Sequence, residues 1–213
     1  MKSSPTSDGD RPFRLVVLAS GTGTNLQAII DRVHGRDGIE LVGVASNKPE
    51  APALERARGA GVPVGVFPRG AYPDRETRDR ALGDWIEELG ADLIALAGYM
   101  ELLTPPMVER FRDRTINVHP ALLPAFPGLD PVSQALAHGV KVTGVTVHFV
   151  DEGVDSGPII LQRSIEVDPD DDWDSLERRI HAAEHELLPT AIRMIAGGRV
   201  SIDPSNPRLV RTD

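Results

Sequence analysis

Cysteine is absent from the 213 residues of this chain. The absence excludes disulfide bonds, thiol nucleophiles and thiolate metal ligands. A small secreted scaffold held by disulfides is therefore excluded, whereas a reducing compartment is allowed. The hydrophobic content of 40% and charged content of 26% are ordinary for a globular domain. The chain is long enough to bury a sizeable core, and one domain is the expected arrangement.

Basic residues are outnumbered by acidic ones. The chain has 23 basic against 32 acidic residues, a formal net charge of −9 and a pI of about 5.1. A protein of this charge lacks the basic field that neutralises nucleic-acid phosphates, so nucleic acid is not expected as its partner. A local anion site stays open, because backbone amides at a helix N-terminus bind anions without net positive charge.

Long apolar runs are missing as well. No stretch approaches the roughly 20 apolar residues of a membrane-spanning helix, so no membrane association is expected. Residues 1–12 are rich in Ser, Pro and Asp without the apolar segment of a secretory signal. We expect a cytoplasmic protein with a disordered tail at residues 1–12 and a loose tail at 203–213. Its oligomeric state is expected to be monomer or homodimer.

Strand and helix patterns alternate along the chain. Short aliphatic runs predict strands, and apolar residues at helical spacing predict the helices between them. The expected strands are residues 13–19, 41–46, 62–67, 93–96, 142–150 and 159–167, with another ending near His119; the expected helices are residues 25–33, 51–60 and 75–89, and one from Pro105 to residue 111. This order predicts an α/β fold with a Rossmann-like, mostly parallel, twisted sheet that has helices on both faces. The last strands have no long helix between them and are expected to turn antiparallel. Asp174 with Glu177 is the expected capping box of a last helix that is eased or kinked at Pro189.

A glycine-rich turn, Ser20-Gly21-Thr22-Gly23-Thr24, separates the first strand from the first helix. Such a turn exposes backbone amides at a helix N-terminus and can bind phosphate. The third glycine of the dinucleotide fingerprint is replaced by Leu26, and no lysine follows as in a P-loop. A plain tight turn remains an equal alternative on these residues alone.

Asn117 and His119 stand at the end of a predicted strand that Pro120 terminates. Alternation along a strand places both polar side chains on the same face. An amide can donate a hydrogen bond to an oxyanion, and an imidazole can carry a proton near neutral pH. The alternative is a strand edge with two solvated polar residues. Further on, Asp155 lies in a glycine-containing loop after another strand, where it can be held close to a catalytic histidine.

These segments together resemble the formyltransferases that use 10-formyltetrahydrofolate, and within them the glycinamide ribonucleotide (GAR) transformylases. The likeness covers roughly residues 14–200, read as one domain with a phosphate-binding half (14–115) and a folate and catalytic half (116–200). It is carried by five stretches: Ser20 to Gln27, Ser46-Asn47-Lys48, Leu96 to Met100, Asn117 to Gly128, and Val147 to Pro158.

The resemblance implies roles for individual residues. Asn117, His119 and Asp155 would be catalytic, with protonated His119 and Asn117 stabilising an oxyanion and Asp155 raising the His119 pKa. The residues implied for GAR are Gly23, Thr24, Asn25 and Glu184; those implied for 10-formyltetrahydrofolate are Arg75, Met100, Glu101, Leu102, Leu103 and Asn117. No metal is implied. Taken alone, the Met100–Leu103 side chains are better explained as core, and Arg75 as a solvated helix start.

Two features point elsewhere. His181-Ala182-Ala183-Glu184-His185 matches the zinc pattern of inverted zincins, although a five-residue match arises easily by chance in a charged helix. The implied family usually has arginine where this chain has Glu101, and often a histidine-containing stretch where Asp130 stands. These departures leave open a formyltransferase that acts on a different amine. A non-enzymatic nucleotide-binding module is the remaining alternative.

Overall fold

The computed structural model describes residues 11–212. The expected disordered tail at residues 1–12 lies outside the described residues, apart from Arg11 and Pro12. Seven strands form one sheet, and two more form a separate hairpin. The strands are β1 (Phe13–Leu18), β2 (Ile39–Ser46), β3 (Val64–Val66), β4 (Leu93–Leu96), β5 (Thr115–His119), β6 (Val142–Phe149), β7 (Ile159–Glu166), β8 (Val200–Asp203) and β9 (Asn206–Thr212).

Six α-helices and a short 3₁₀ helix connect the strands in the described chain. They are α1 (Thr24–Arg32), α2 (Pro52–Gly59), the 3₁₀ helix (Arg69–Ala71), α3 (Arg75–Glu88), α4 (Pro105–Arg110), α5 (Pro131–His138) and α6 (Trp173–Ala196). No helix within residues 11–212 is long and apolar enough to cross a membrane.

The strand order in the large sheet is β3-β2-β1-β4-β5-β6-β7. Pairings from β3 through β5 are parallel, and β5·β6 and β6·β7 are antiparallel. The predicted α/β fold with an antiparallel C-terminal part is therefore confirmed. Because chain order reverses between β1 and β4, their carboxyl ends open a crevice, the usual ligand position in such sheets.

The aliphatic strand runs place a core on each face of the sheet. One core packs α1, α2, α5 and α6 against the sheet, and the other packs α3 and α4 against the opposite face. Leu15 and Val17 face the first core, whereas Val16 and Leu18 face the second, and all four are fully buried. This two-sided burial explains why β1 has four consecutive apolar residues, 15–18, instead of alternating apolar and polar ones.

Three features of the structure differ from the sequence prediction: the C-terminal segment, helix α5 and the capping box of α6. The segment expected to be a loose tail at 203–213 is instead largely strand β9, which pairs antiparallel with β8. An ion pair between Arg211 and Asp203 joins the two strands. Helix α5 was not predicted. The capping box of α6 is formed by Asp172 and Ser175, not by Asp174 and Glu177. Helix α6 runs through Pro189 without interruption.

Candidate active site

A cleft of about 1120 Å³ lies along the carboxyl ends of the central strands. Its walls come from the glycine turn before α1, the start of α3, the segment after β4, the end of β5, the loop after β6 and one face of α6. The structure brings every predicted site residue to this cleft: Gly23, Thr24, Asn25, Arg75, Met100, Glu101, Leu102, Leu103, Asn117, His119, Asp155 and Glu184.

His119 and Asp155 form the centre of the cleft. Nδ1 of His119 lies 3.4 Å from Oδ2 of Asp155, and Nε2 lies 2.8 Å from the carbonyl oxygen of Phe126. The carbonyl requires a proton on Nε2, so Nδ1 meets the carboxylate favourably when it is protonated too. The arrangement therefore suits an imidazolium, held between two acceptors.

Burial nevertheless lowers the pKa of His119 below its ordinary value, and the nearby His148 lowers it further. The Asp155 charge raises that pKa, as predicted, but does not outweigh burial. The predicted effect of Asp155 on the His119 pKa is thus confirmed in direction, and burial is the larger effect. For Asp155, burial raises the pKa, but hydrogen bonds from His148 and the Gly128 amide and the charge of His119 hold it below its ordinary value. Asp155 stays ionised at neutral pH.

The side-chain amide of Asn117 joins the same cluster. Its Nδ2 donates to Oδ1 of Asp155 at 3.2 Å and lies 3.3 Å from Nε2 of His148. Asn117 and His148 are cross-strand partners in the β5·β6 register. His148 is buried, and its Nδ1 lies 2.8 Å from the carbonyl oxygen of Phe149.

His148 also lines the cleft, and the sequence analysis did not include it among the candidate site residues. Its Nε2 is 3.6 Å from Oδ1 of Asp155. The available signal was strand alternation, which put it on one face with Thr146. That signal becomes specific only when the β5·β6 register is known.

The loop that carries Asp155 is held in an unusual backbone shape. Asp155 has φ 49°, in the left-handed region that residues with a Cβ seldom adopt. The Gly128 amide donates to its Oδ2 at 2.8 Å. At Gly157 an added Cβ would lie 1.8 Å from the carbonyl oxygen of Phe149. The backbone there has no room for a side chain.

Gly157→Ala is accordingly expected to displace this loop and to lower kcat/KM by about tenfold or more, since small misplacements of reacting groups are costly. Gly59→Ala is the matched control, because an added Cβ at Gly59 meets nothing within 4 Å. Steady-state kinetics with circular dichroism of both variants is the measurement. Full activity in a folded Gly157→Ala protein would show that the loop tolerates movement.

The glycine turn ends in a left-handed residue. Gly23 has φ 74° and caps the start of α1, and a Cβ there would lie 2.8 Å from Ala53. Only glycine suits both constraints. The turn presents the first amides of α1 to the cleft, the arrangement that binds phosphate.

Asn25 and Glu184 meet at this end of the cleft although they are far apart in sequence. Nδ2 of Asn25 donates to Oε2 of Glu184 at 2.9 Å, and both side chains are buried. Burial raises the pKa of Glu184, and the Asn25 hydrogen bond opposes the rise. Oδ1 of Asn25 is buried without a hydrogen-bond partner. Such an acceptor in a ligand cleft suits a donor from a bound polar molecule.

The three residues of the zinc pattern on α6 are not arranged as metal ligands. Nε2 of His181 lies 3.9 Å from Oε2 of Glu184, which is itself engaged by Asn25. The rings of His181 and His185 stack at 6.1 Å. Within residues 11–212, no group of three or more His, Asp or Glu side chains is arranged to hold a metal ion.

Exposed apolar side chains, called here the apolar lips, also line the cleft. Met100 is 60% and Leu102 57% exposed, and Leu129 and Val154, which also line the cleft, are 82% and 49% exposed. Met100 and Leu102 are therefore not core residues, the alternative that their type alone favoured. Exposed apolar groups along a cleft suit a flat, partly apolar ligand.

Glu101 is turned into a cluster of arginines. Its Oε2 lies 2.8 Å from Arg69 and 3.0 Å from Arg78, and its Oε1 accepts from Asn47 at 3.1 Å. Burial raises its pKa, but Arg69 and Arg78 together hold it below its ordinary value. Its carboxylate is thus ionised and neutralised. Asp130 caps α5 by accepting from the Ser133 amide.

Comparison with known proteins agrees with this geometry. Residues 13–192 match the family described as formyl transferase. Phosphoribosylglycinamide formyltransferase of Bacillus subtilis is 40% identical over 185 residues, 86% of this chain and 95% of the relative.

Two further relatives extend the comparison. The trifunctional purine biosynthetic protein adenosine-3 of Drosophila melanogaster is 47% identical over 197 residues; the match spans 91% of this chain but only 15% of that protein. The crystal structure of glycinamide ribonucleotide transformylase 1 from Symbiobacterium toebii superposes with a TM-score of 0.91 at 48% identity, covering 98% of both chains.

Proposed function

The chain belongs to the formyl transferase family, and on that premise we propose that it transfers the formyl group of 10-formyltetrahydrofolate to the primary amine of GAR. The reaction is a step of purine biosynthesis. The observation that supports the proposal is that one cleft contains the His119–Asp155 pair, the glycine turn at the start of α1 and the apolar lips.

GAR occupies the glycine-turn end of the cleft. The amides at Gly23, Thr24 and Asn25 bind its phosphate, because they are the first amides of α1 and point into the cleft. Glu184 and the unpaired Oδ1 of Asn25 accept from the sugar hydroxyls. In this position the amine of GAR points toward His119 and Asp155.

The folate occupies the other end. Its ring system and linker lie along the Met100–Leu103 segment between the two apolar lips, and Arg75 at the start of α3 meets its anionic tail. Asn117 faces both ligands from the end of β5. Binding both substrates in one cleft converts a bimolecular step into one between held partners, which is a large part of such catalysis.

The chemical step forms one C–N bond and breaks another. The amine of GAR attacks the formyl carbon, and the carbonyl oxygen becomes an oxyanion. Protonated His119 and the Asn117 amide stabilise that oxyanion. For this, Asn117 exchanges one of its present contacts with Asp155 or His148 for the oxyanion. His119 likewise exchanges its contact with the Phe126 carbonyl and keeps the one with Asp155.

Proton transfers complete the reaction. The attacking nitrogen loses a proton to ionised Asp155, directly or through water, and the folate nitrogen receives one from His119 as it leaves. The products are formyl-GAR and tetrahydrofolate. This chemistry needs neither a metal nor a covalent intermediate with the protein.

The function is tested with purified protein, 10-formyltetrahydrofolate and GAR. We expect tetrahydrofolate to appear spectroscopically at a rate that depends on GAR concentration and falls to background when GAR is omitted. Circular dichroism establishes that the protein is folded. A folded protein that binds folate without GAR-dependent turnover would point to another amine as the acceptor.

A further inference from the structure

Arg69 is an exposed arginine of the cleft wall, and it contacts Glu101 in the segment proposed to bind folate. It begins the 3₁₀ helix Arg69–Ala71 just before α3, and it lines the cleft together with Arg75. Its side chain is 74% exposed, yet one guanidinium nitrogen is fixed 2.8 Å from Oε2 of Glu101. An exposed arginine seldom has such a buried anchor.

The Glu101 carboxylate is fixed in place because it also pairs with the buried Arg78. The Arg78 and Asp79 side chains are each only 1% exposed, and they pair at 2.9 Å. Asp79 is in turn fixed by the Thr104 amide at 2.7 Å. Arg78 carries one positive charge, whereas Asp79 and Glu101 carry two negative charges, so this buried group attracts a second cation. Arg69 supplies that cation.

The anchoring prepares Arg69 to bind another anion. A guanidinium has five N–H donors in a planar fork, and within residues 11–212 the bond of Arg69 to Glu101 uses one of them. Holding the side chain in place reduces the rotamer freedom lost when a ligand binds. The remaining donors suit a carboxylate, which accepts from an arginine in two places.

We propose that Arg69, positioned by Glu101, binds the carboxylates of the folate's glutamyl tail; the proposal rests on the proposed function. Arg69, Arg75 and the Met100–Leu103 segment all line the cleft, and the ion pair with Glu101 ties Arg69 to that segment. A tail with several carboxylates extends from the cleft into solvent, where an exposed arginine can pair with one of them. Glu101 therefore acts on folate binding through Arg69, not on the choice of acceptor amine.

The test compares tetrahydrofolate carrying one glutamate with tetrahydrofolate carrying five, each titrated by calorimetry. We expect Arg69→Ala to raise Kd for the pentaglutamyl form about fivefold and for the monoglutamyl form less than about twofold, as suits one partly exposed ion pair. The wild-type preference for the longer tail should weaken with added salt. Arg112→Ala is the control, because Arg112 is exposed and pairs with Glu109 instead.

The anchor is tested by Glu101→Gln. This variant should raise the pentaglutamyl Kd less than Arg69→Ala does, and the double variant should match Arg69→Ala alone, because Glu101 acts through Arg69. Additive losses would mean that Glu101 has only a structural role. The KM for GAR should stay within about twofold of wild type in all three variants.

Two results would overturn the proposal. In the first, Arg69→Ala binds both folates as tightly as wild type does, while the wild-type enzyme shows normal turnover. The proposed function would then be supported, and the contact between Arg69 and the tail would be refuted. In the second, Arg69→Ala raises KM for GAR instead, which would assign Arg69 to the phosphate of the acceptor. If wild type binds neither folate, the proposed function itself fails and this proposal with it.

Discussion

Replacing His119 with alanine is expected to lower kcat by about 10²-fold or more, the usual contribution of a positioned acid–base group. The imidazole is almost fully buried and fixed between the Phe126 carbonyl and Asp155. Because the lost interactions belong to the transition state, the KM values for GAR and folate should change far less than kcat.

The control for this variant is His34→Ala. His34 accepts a hydrogen bond from the Leu41 amide and does not line the cleft. It should therefore lose some stability and little activity. If His119→Ala retains more than about a tenth of the wild-type kcat while His34→Ala behaves as expected, the transfer does not depend on the imidazole.

Removing the Asp155 carboxylate is expected to be about as damaging, because Asp155 holds His119, contacts Asn117 and accepts the proton of the amine. Asp155→Asn should lower kcat by about 10²-fold or more. The double variant with His119→Ala should lose less than the product of the two single losses, since groups that act as a unit are not additive. Kinetics of the four proteins gives the coupling directly; fully multiplicative losses would make Asp155 a structural residue.

The direction in which the pH dependence of the rate shifts in Asp155→Asn is an independent test of these roles. Burial lowers the His119 pKa, and Asp155 opposes that effect. Without the charge of Asp155, burial acts unopposed and the pKa falls further. Since the imidazolium is the active form in our account, the residual rate of Asp155→Asn should decline with rising pH at a lower pH than in wild type. A shift to higher pH would contradict the assigned roles.

Much of the fold could be predicted because most of its strands are short aliphatic runs that stand out in the sequence. Leu93–Leu96 is a short aliphatic run between Asp92 and the Ala97-Gly98 pair, and the observed strand has the predicted limits. Helix α5 was missed because Asp130, at φ 50°, starts it from a left-handed residue next to Pro131. The β8–β9 hairpin was missed because Pro204 and Pro207 read as breakers.

Side-chain partners were harder to predict than elements. Several aspartates precede α6, and the sequence offers no means of telling which one caps the helix. His148 reaches Asn117 only through the β5·β6 register, which depends on pairing between strands. The Arg78–Glu101 pair joins a helix to a loop after a different strand, and nothing local in either segment signals it.

The most direct test of the central claim follows the formyl group itself. Protein is incubated with 10-formyltetrahydrofolate labelled with ¹³C in the formyl group and with GAR, and the products are identified by mass spectrometry. Our account predicts that wild type places the label on the amine of GAR and that His119→Ala does so about 10²-fold more slowly. Label released as free formate, or wild-type and His119→Ala proteins that form labelled GAR equally fast, would contradict it.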